Sequence, residues 1–106
     1  MVKRGEVWLA ALDPTVGREI QKTRPCVIVS PPEMHNWLRT VIVAPMTSQG
    51  KPAPFRISLA FQGKNGLILL DQIRTIDKTR LLKKLGMVDA ASLSAALSTL
   101  QDVFAE

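Results

Sequence analysis

Three short polar segments, each joined to an apolar, strand-like run, carry most of the side chains in this chain that could do chemistry. They are Asp13-Pro14-Thr15-Val16-Gly17-Arg18-Glu19 leading into Thr23-Arg24-Pro25, then Pro45-Met46-Thr47-Ser48, then Asp71-Gln72. Functional groups at strand ends are how a rigid β scaffold presents a site. Arg24 precedes a proline, which biases its backbone to an extended form. Its guanidinium carries five donors and stays charged. Such a group can fork onto a phosphate and stabilise charge growing there; it can equally brace loop carbonyls or a carboxylate. Thr47 and Ser48 can donate hydroxyl hydrogen bonds to phosphate oxygens, although spacing alone favours loop capping. Asp71-Gln72 can bond the loop that leads to Arg24 or read a base edge, and structural bracing explains the pair as well. The set points to phosphate chemistry on RNA.

Rival chemistries lack parts. The chain has one histidine, His35, and one cysteine, Cys26. A two-histidine ribonuclease site, an internal disulfide and a multi-cysteine metal site are therefore impossible within one chain. His35 reads as a loop histidine, and Cys26, inside Pro25-Cys26-Val27-Ile28-Val29, as a buried inert thiol. There is no phosphate-binding G-x-x-x-x-G-K-[ST] loop and no G-x-S-x-G elbow. The carboxylates are scattered, without the clustering that two-metal nucleases need. No metal and no cofactor is expected.

The positioning elements follow from the apolar pattern. With 106 residues, 46% of them apolar, the chain is expected to form a single domain over residues 1–106. Strands are predicted at Val7–Leu12, Cys26–Ser30, Thr40–Ala44, Phe55–Leu59, Leu67–Leu70 and Leu82–Val88. Polar loops lie at Asp13–Thr23 and Thr47–Pro54, a turn at Gln62–Asn65, and helical turns at Glu33–Leu38 and from Asp77 through Arg80. Asp89 can cap a helix whose Leu93, Leu97, Leu100 and Phe104 share one face. Many short strands with Pro/Gly turns give a mainly β fold, a small closed or half-closed barrel with a C-terminal helix. The fourteen Lys and Arg all fall in residues 1–84 beside six acids, a balance of +8, whereas residues 85–106 hold three acids and no base. A basic body suits a polyanion. With no signal-peptide pattern and no apolar run near the ~20 residues of a membrane span, a soluble cytoplasmic protein is expected.

In order and spacing, the chain resembles the MazF/PemK family of toxin endoribonucleases. The matching pieces are Arg4-Gly5-Glu6-Val7-Trp8, Asp13-Pro14-Thr15 with Gly17 and Glu19, Thr23-Arg24-Pro25, Pro45-Met46-Thr47-Ser48 and Asp71-Gln72-Ile73-Arg74-Thr75-Ile76-Asp77. No piece is specific by itself; five in sequence are. The resemblance implies an SH3-like barrel of the MazF/PemK/CcdB kind, a homodimer, and the toxin role in a type II toxin–antitoxin system. It implies metal-independent, sequence-specific cleavage of single-stranded mRNA, leaving 2′,3′-cyclic phosphate and 5′-hydroxyl ends and so inhibiting translation. The implied partner is a labile antitoxin whose acidic, mostly disordered C-terminal segment covers the basic groove, with DNA binding by the toxin–antitoxin complex. By position, Arg24 and Thr47 match the family's catalytic arginine and threonine, Glu19 an acidic loop position, and Asp71 and Gln72 a pair at the site edge. The PemK branch has a histidine after D-P-T-x-G and an arginine two residues before D-Q. Here those positions are Arg18 and Leu69, so an acid/base scheme using that arginine does not transfer, and on this point the chain is closer to MazF.

Under this reading the RNA's own 2′-hydroxyl is the nucleophile. Arg24 stabilises the phosphorane, Thr47 holds a phosphate oxygen, and the general base is open, with Glu19 the chemically easier choice. Binding would draw on Arg18, Lys22, Lys51 and Arg74, with Ser48, Gln49, Asp71 and Gln72 at the same loops. Trp37 and Phe55 could stack bases, but core roles are the plainer reading. The alternatives are a noncatalytic RNA-binding barrel, an inactive antitoxin-binding relic, and a CcdB-like gyrase-targeting toxin. The last would end in Trp-Gly-Ile, and this chain ends Val103-Phe104-Ala105-Glu106.

Overall fold

In the computed structural model, which describes residues 2–106, the strands form one seven-stranded antiparallel sheet. The chain runs β1 (Glu6–Ala11), β2 (Thr23–Ile28), a short helix α1 (Pro32–Trp37), β3 (Thr40–Thr47), β4 (Arg56–Phe61), β5 (Lys64–Leu69), β6 (Arg74–Asp77), β7 (Leu81–Met87) and the helix α2 (Ala90–Val103). Single 3-10 turns, Leu70–Gln72 and Lys78–Arg80, join β5 to β6 and β6 to β7. The strand order is β4-β5-β3-β2-β1-β7, with β6 also paired to β3. The sheet curls until its outer strands approach. Gln62 Nε2, just past β4, donates to the Leu85 carbonyl on β7 at 2.7 Å, and the Phe61 ring rests on Gly86. The expected half-closed barrel is present.

The curl depends on β3. One edge pairs with β2 (Cys26↔Pro45, Val27↔Ala44, Ile28↔Val43). The other takes β6 at Thr40–Val43 and then β5 at Met46 and Thr47. Ile42 exchanges its backbone bonds on the β2 side, with Val29 N and Ser30 Oγ. Strand alternation therefore turns residue 45 toward the other edge, where one partner has stopped and the next has not begun. A proline costs no ladder bond there. This is why β3, expected to stop at Ala44, runs on to Thr47. Two further boundaries differ from expectation. β2 begins at Thr23, so Arg24 lies within a strand, paired with Ala10. Arg74–Asp77, where the apolar pattern predicts no strand, forms β6 against β3; a four-residue strand alternating polar and apolar residues is too short to announce itself by pattern.

The core lies on both sheet faces. Val7, Val27, Ala44, Met46 and Ile68 pack under α2, and Ala10, Cys26, Ile28, Val41, Val43 and Ile76 form a second cluster. Asp89 caps α2 as expected, its carboxylate accepting from Ser92 N at 3.0 Å. The helix packs on the core through buried Ala96 and half-buried Leu93 and Leu100. Phe104, expected on the same face, is 72% exposed. It follows the last helical residue with φ −99° and ψ 3°, which turns it off the helical row. His35 is a second correction. It is buried on α1, with Nε2 2.6 Å from Ser30 Oγ and Nδ1 3.1 Å from the Val2 carbonyl. The carbonyl can only accept, so Nδ1 carries the proton and Ser30 donates to Nε2. The Ser30 oxygen also accepts from Ile42 N, so the imidazole staples α1 to β3. Cys26 is fully buried as expected.

Candidate active site

The β2–β3 register sets the site. Cys26 opposes Pro45 and Ile28 opposes Val43; carried two residues further, the same register puts Arg24 across from Thr47, on one face. Both line a cavity of about 300 Å³ at the mouth where the sheet curls shut. Its walls are largely apolar, from Pro25, Met46, Leu59, Phe61 and Leu85, and its rim carries Ser48, Gln62, Lys64 and Asn65.

Arg24 is half-buried, and its Nε donates to the Gln21 carbonyl at 3.0 Å. The terminal NH₂ groups are the donors that remain for a phosphate, presented as a fork. Thr47 is buried, and its hydroxyl closes a small turn, donating to Gln49 O at 2.7 Å and accepting from Gln49 N at 3.1 Å. That is the loop-capping role that spacing favours. A hydroxyl has one proton, so Thr47 can donate to a phosphate only by giving up the Gln49 carbonyl. Close approach of strands holds it in place: a Cβ on Gly66 of β5 would lie 2.9 Å from the Thr47 carbonyl oxygen.

The other residues expected at the site divide. Arg18, Glu19, Asp71, Gln72 and Arg74 line a second cavity, of about 410 Å³. Glu19 there accepts from Val16 N at 2.7 Å and so shapes its own loop. Gln72 accepts from Ile20 N at 2.6 Å, bracing the β1–β2 loop one residue before Gln21, the anchor of Arg24. The Asp71 carboxylate is forked by Arg56, at 3.1 Å from both Nε and NH2. Arg56 also donates to Lys51 O at 3.1 Å, so this pair ties the β3–β4 loop to the turn after β5. Arg74 donates to Leu12 O at 3.1 Å. Lys22 N donates to Asp13 at 2.9 Å. Ser48, Gln49 and Lys51 stand exposed on the β3–β4 loop. Trp37 is 88% exposed on α1 and Phe55 is 40% exposed before β4, so neither is a core residue.

Electrostatics link the two cavities. Burial pushes the Cys26 thiol up to about 12, partly offset by the positive charges of Arg74 and Arg24. Both cations therefore act on the same buried point of β2. Among the described residues lining the Arg24–Thr47 cavity there is no carboxylate and no imidazole; Lys64 is its other ionisable group. Among the described residues, no cluster of His, Cys, Asp and Glu could hold a metal ion. Sequence reasoning missed Arg56, Phe61 and the hairpin residues Gln62, Lys64, Asn65 and Gly66. The hairpin reads only as a turn in the sequence. It joins the site because β5 pairs with Thr47 through Leu67, across nineteen intervening positions.

Comparison with known proteins agrees with this fold. The family model described as PemK-like, MazF-like toxin of type II toxin–antitoxin system matches residues 3–104. The endoribonuclease PemK of Escherichia coli is 40% identical over 108 aligned positions, covering 96% of this chain and 81% of that protein. The crystal structure of MazF from Deinococcus radiodurans superposes with a TM-score of 0.85 at 25% identity, covering 96% of this chain and 94% of that one. A MazE–MazF structure from the same organism gives 0.73 at 27% identity, with 96% and 94% covered.

Proposed function

This chain belongs to the PemK-like, MazF-like toxins of type II toxin–antitoxin systems, and from that membership we propose that it cuts single-stranded mRNA by internal attack of the 2′-hydroxyl at Arg24 and Thr47. It is an endoribonuclease toxin, and an antitoxin is its partner, as in the MazE–MazF structure that shares its fold. The substrate's own 2′-hydroxyl supplies the nucleophile, so neither a protein nucleophile nor a metal is required: the 2′-oxygen bonds to phosphorus as its proton leaves, the P–O5′ bond breaks, and the departing 5′-oxygen takes a proton from solvent, giving a 2′,3′-cyclic phosphate and a 5′-hydroxyl. The single observation that carries the reading is that Arg24 and Thr47 line one cavity.

The chemistry follows from the donors. As the 2′-oxygen attacks, negative charge grows on the two non-bridging phosphate oxygens. Arg24, its Nε anchored on Gln21, has two terminal NH₂ groups left to meet that charge, and preorganisation is what makes such donors effective. The Thr47 hydroxyl keeps its proton and switches its hydrogen bond from Gln49 O to a phosphate oxygen, which opens the small turn. Glu19 lines the neighbouring cavity, and it takes the 2′ proton only where the RNA strand spans both. Asp71, held by Arg56, positions the loops, while Arg18, Lys22 and Arg74 meet backbone phosphates. We assign a homodimer, a cytoplasmic location with the mRNA, and an acidic antitoxin segment that competes for the same basic groove.

The test is cleavage of a long RNA with chelator present. Arg24→Ala is expected to lower kcat about 10²–10³-fold, the loss typical of one preorganised donor. Thr47→Ser is expected to retain more activity than Thr47→Ala. Unchanged cutting by Arg24→Ala, or continued cutting after the 2′-hydroxyl at the cut site is replaced by hydrogen, removes the mechanism.

A further inference from the structure

The walls of the Arg24–Thr47 cavity are unlike a phosphate site. A phosphate needs donors all round, and here Arg24, Thr47 and the exposed Ser48, Gln62, Lys64 and Asn65 share the lining with Pro25, Met46, Leu59, Phe61 and Leu85. Small-molecule pockets span roughly 300–1,000 Å³, so this one, at about 300 Å³, admits a single small guest. A flat guest with apolar faces and a polar edge matches the lining. In an RNA strand whose phosphate lies at the rim, the part with that character is the neighbouring base.

The far rim is built to meet such an edge. The β4–β5 hairpin turns through Gln62 and Gly63, both with positive φ (51° and 80°), the two-residue turn that matches strand twist. This tight turn places Phe61 directly across from Lys64, and Asn65 next along β5. Phe61 offers an aromatic wall for stacking. Gln62 spends its amide N–H on Leu85 O at 2.7 Å and so fixes the mouth. Asn65 is exposed and lines both this cavity and an adjoining one of about 480 Å³, which also includes Ser48 and Ser58. It stands at the divide between them. An asparagine carboxamide sets a donor beside an acceptor, the pattern that reads a base edge in two places at once.

We propose that this cavity is a base-binding subsite for the nucleotide next to the scissile phosphate, with Phe61 as its stacking wall and Asn65 as its specificity-determining residue. The proposal rests on cleavage at Arg24 and Thr47 and names where a base beside the cut is read. Lys64 at the rim steers the following phosphate. The β4–β5 hairpin, and not only the loops that carry Arg24 and Thr47, then sets the cut sequence.

Cleavage ends are mapped on a long RNA for the parent, Asn65→Ala, Asn65→Asp and Arg24→Ala. In both Asn65 variants the preference at one position beside the cut is expected to weaken by roughly 5- to 150-fold, the discrimination carried by one two-point contact, and Asn65→Asp is expected to favour a different base there. A parent-like cut profile in both, with Arg24→Ala inactive, overturns the subsite and leaves the cleavage reading standing. Parent-like cutting by Arg24→Ala overturns the cleavage reading instead. A readout independent of cutting uses amide NMR shifts during titration with AMP, GMP, CMP and UMP. Shifts at Phe61, Asn65 and Gly66, stronger for one nucleotide and lost in Asn65→Ala, support the site. Shifts confined to Asp71–Arg74, or none, refute it.

Discussion

Gly66→Ala tests whether the site depends on how closely β5 approaches Thr47. Gly66 sits in β5 opposite Leu59, in an extended backbone that alanine adopts freely. The added methyl would meet the Thr47 carbonyl oxygen at 2.9 Å, with the Thr47 carbonyl carbon at 3.6 Å and Ser48 Cα at 4.0 Å. All three are backbone atoms, so no side chain can rotate away. Restoring ordinary contact needs a shift of about 0.5 Å. Overpacking of this kind costs about 1–3 kcal/mol, and the loss of glycine's freedom in the unfolded chain offsets about 0.4–1 kcal/mol. The net is a destabilisation of up to about 2.6 kcal/mol, or a fall in Tm of up to roughly 20 °C for a domain of this size. Misplacing a reacting group by about 1 Å can cost 10²-fold, so a shift of half that size predicts a fall in kcat of about tenfold. Thermal unfolding by circular dichroism and initial rates of RNA cleavage, measured well below Tm, give both numbers. Combining Gly66→Ala with Thr47→Ala is expected to add little further loss of rate. A folded Gly66→Ala protein that cuts at the parent rate, or a full additional loss in the double variant, would show that Gly66 does not act through Thr47.

Two other outcomes follow from buried groups. Burial pushes the Glu6 carboxyl up, but Lys84, the Lys3 N–H and the Trp8 indole outweigh it and hold it below its ordinary 4.5. Its oxygens lie 2.8 Å from Lys84 Nζ, 2.9 Å from Lys3 N and 3.1 Å from Trp8 Nε1. A lowered carboxyl contributes stability above its unfolded pKa and loses it as pH falls through the folded value. Glu6→Gln is therefore expected to cost about 1–3 kcal/mol at pH 7 and to flatten the decline in stability below pH 4.5, read by urea unfolding at a series of pH values; parallel curves for the two proteins would contradict it. The Cys26 thiol, raised to about 12 and fully buried, is expected to resist Ellman's reagent at pH 8 in the folded protein and to react fully in guanidinium, and rapid native labelling would show that β2 opens.

The sequence by itself carried the local facts. Apolar runs placed the strands, Asp89 announced the cap of α2, and the ordered motifs picked out Arg24, Thr47, Glu19, Asp71 and Gln72. These are properties of neighbouring residues, and they are legible because strand alternation and capping depend on spacing along the chain. Position 45 shows where that ends. A proline reads as a strand stop, and only the handover of one β3 edge from β6 to β5 makes it harmless. His35 shows the same limit: nothing in the sequence tells a loop imidazole from one stapled between Ser30 and Val2.

Only the tertiary structure decided which residues share a cavity. It joined Arg24 and Thr47 to the β4–β5 hairpin and placed Glu19 with Asp71, Gln72 and Arg74 in the cavity beside it. It also committed Asp71 to Arg56. The reason is physical: which strand edges meet is set by the curl of the whole sheet and by burial on both its faces. Proximity between residues so far apart along the chain is a property of that closure, not of either segment.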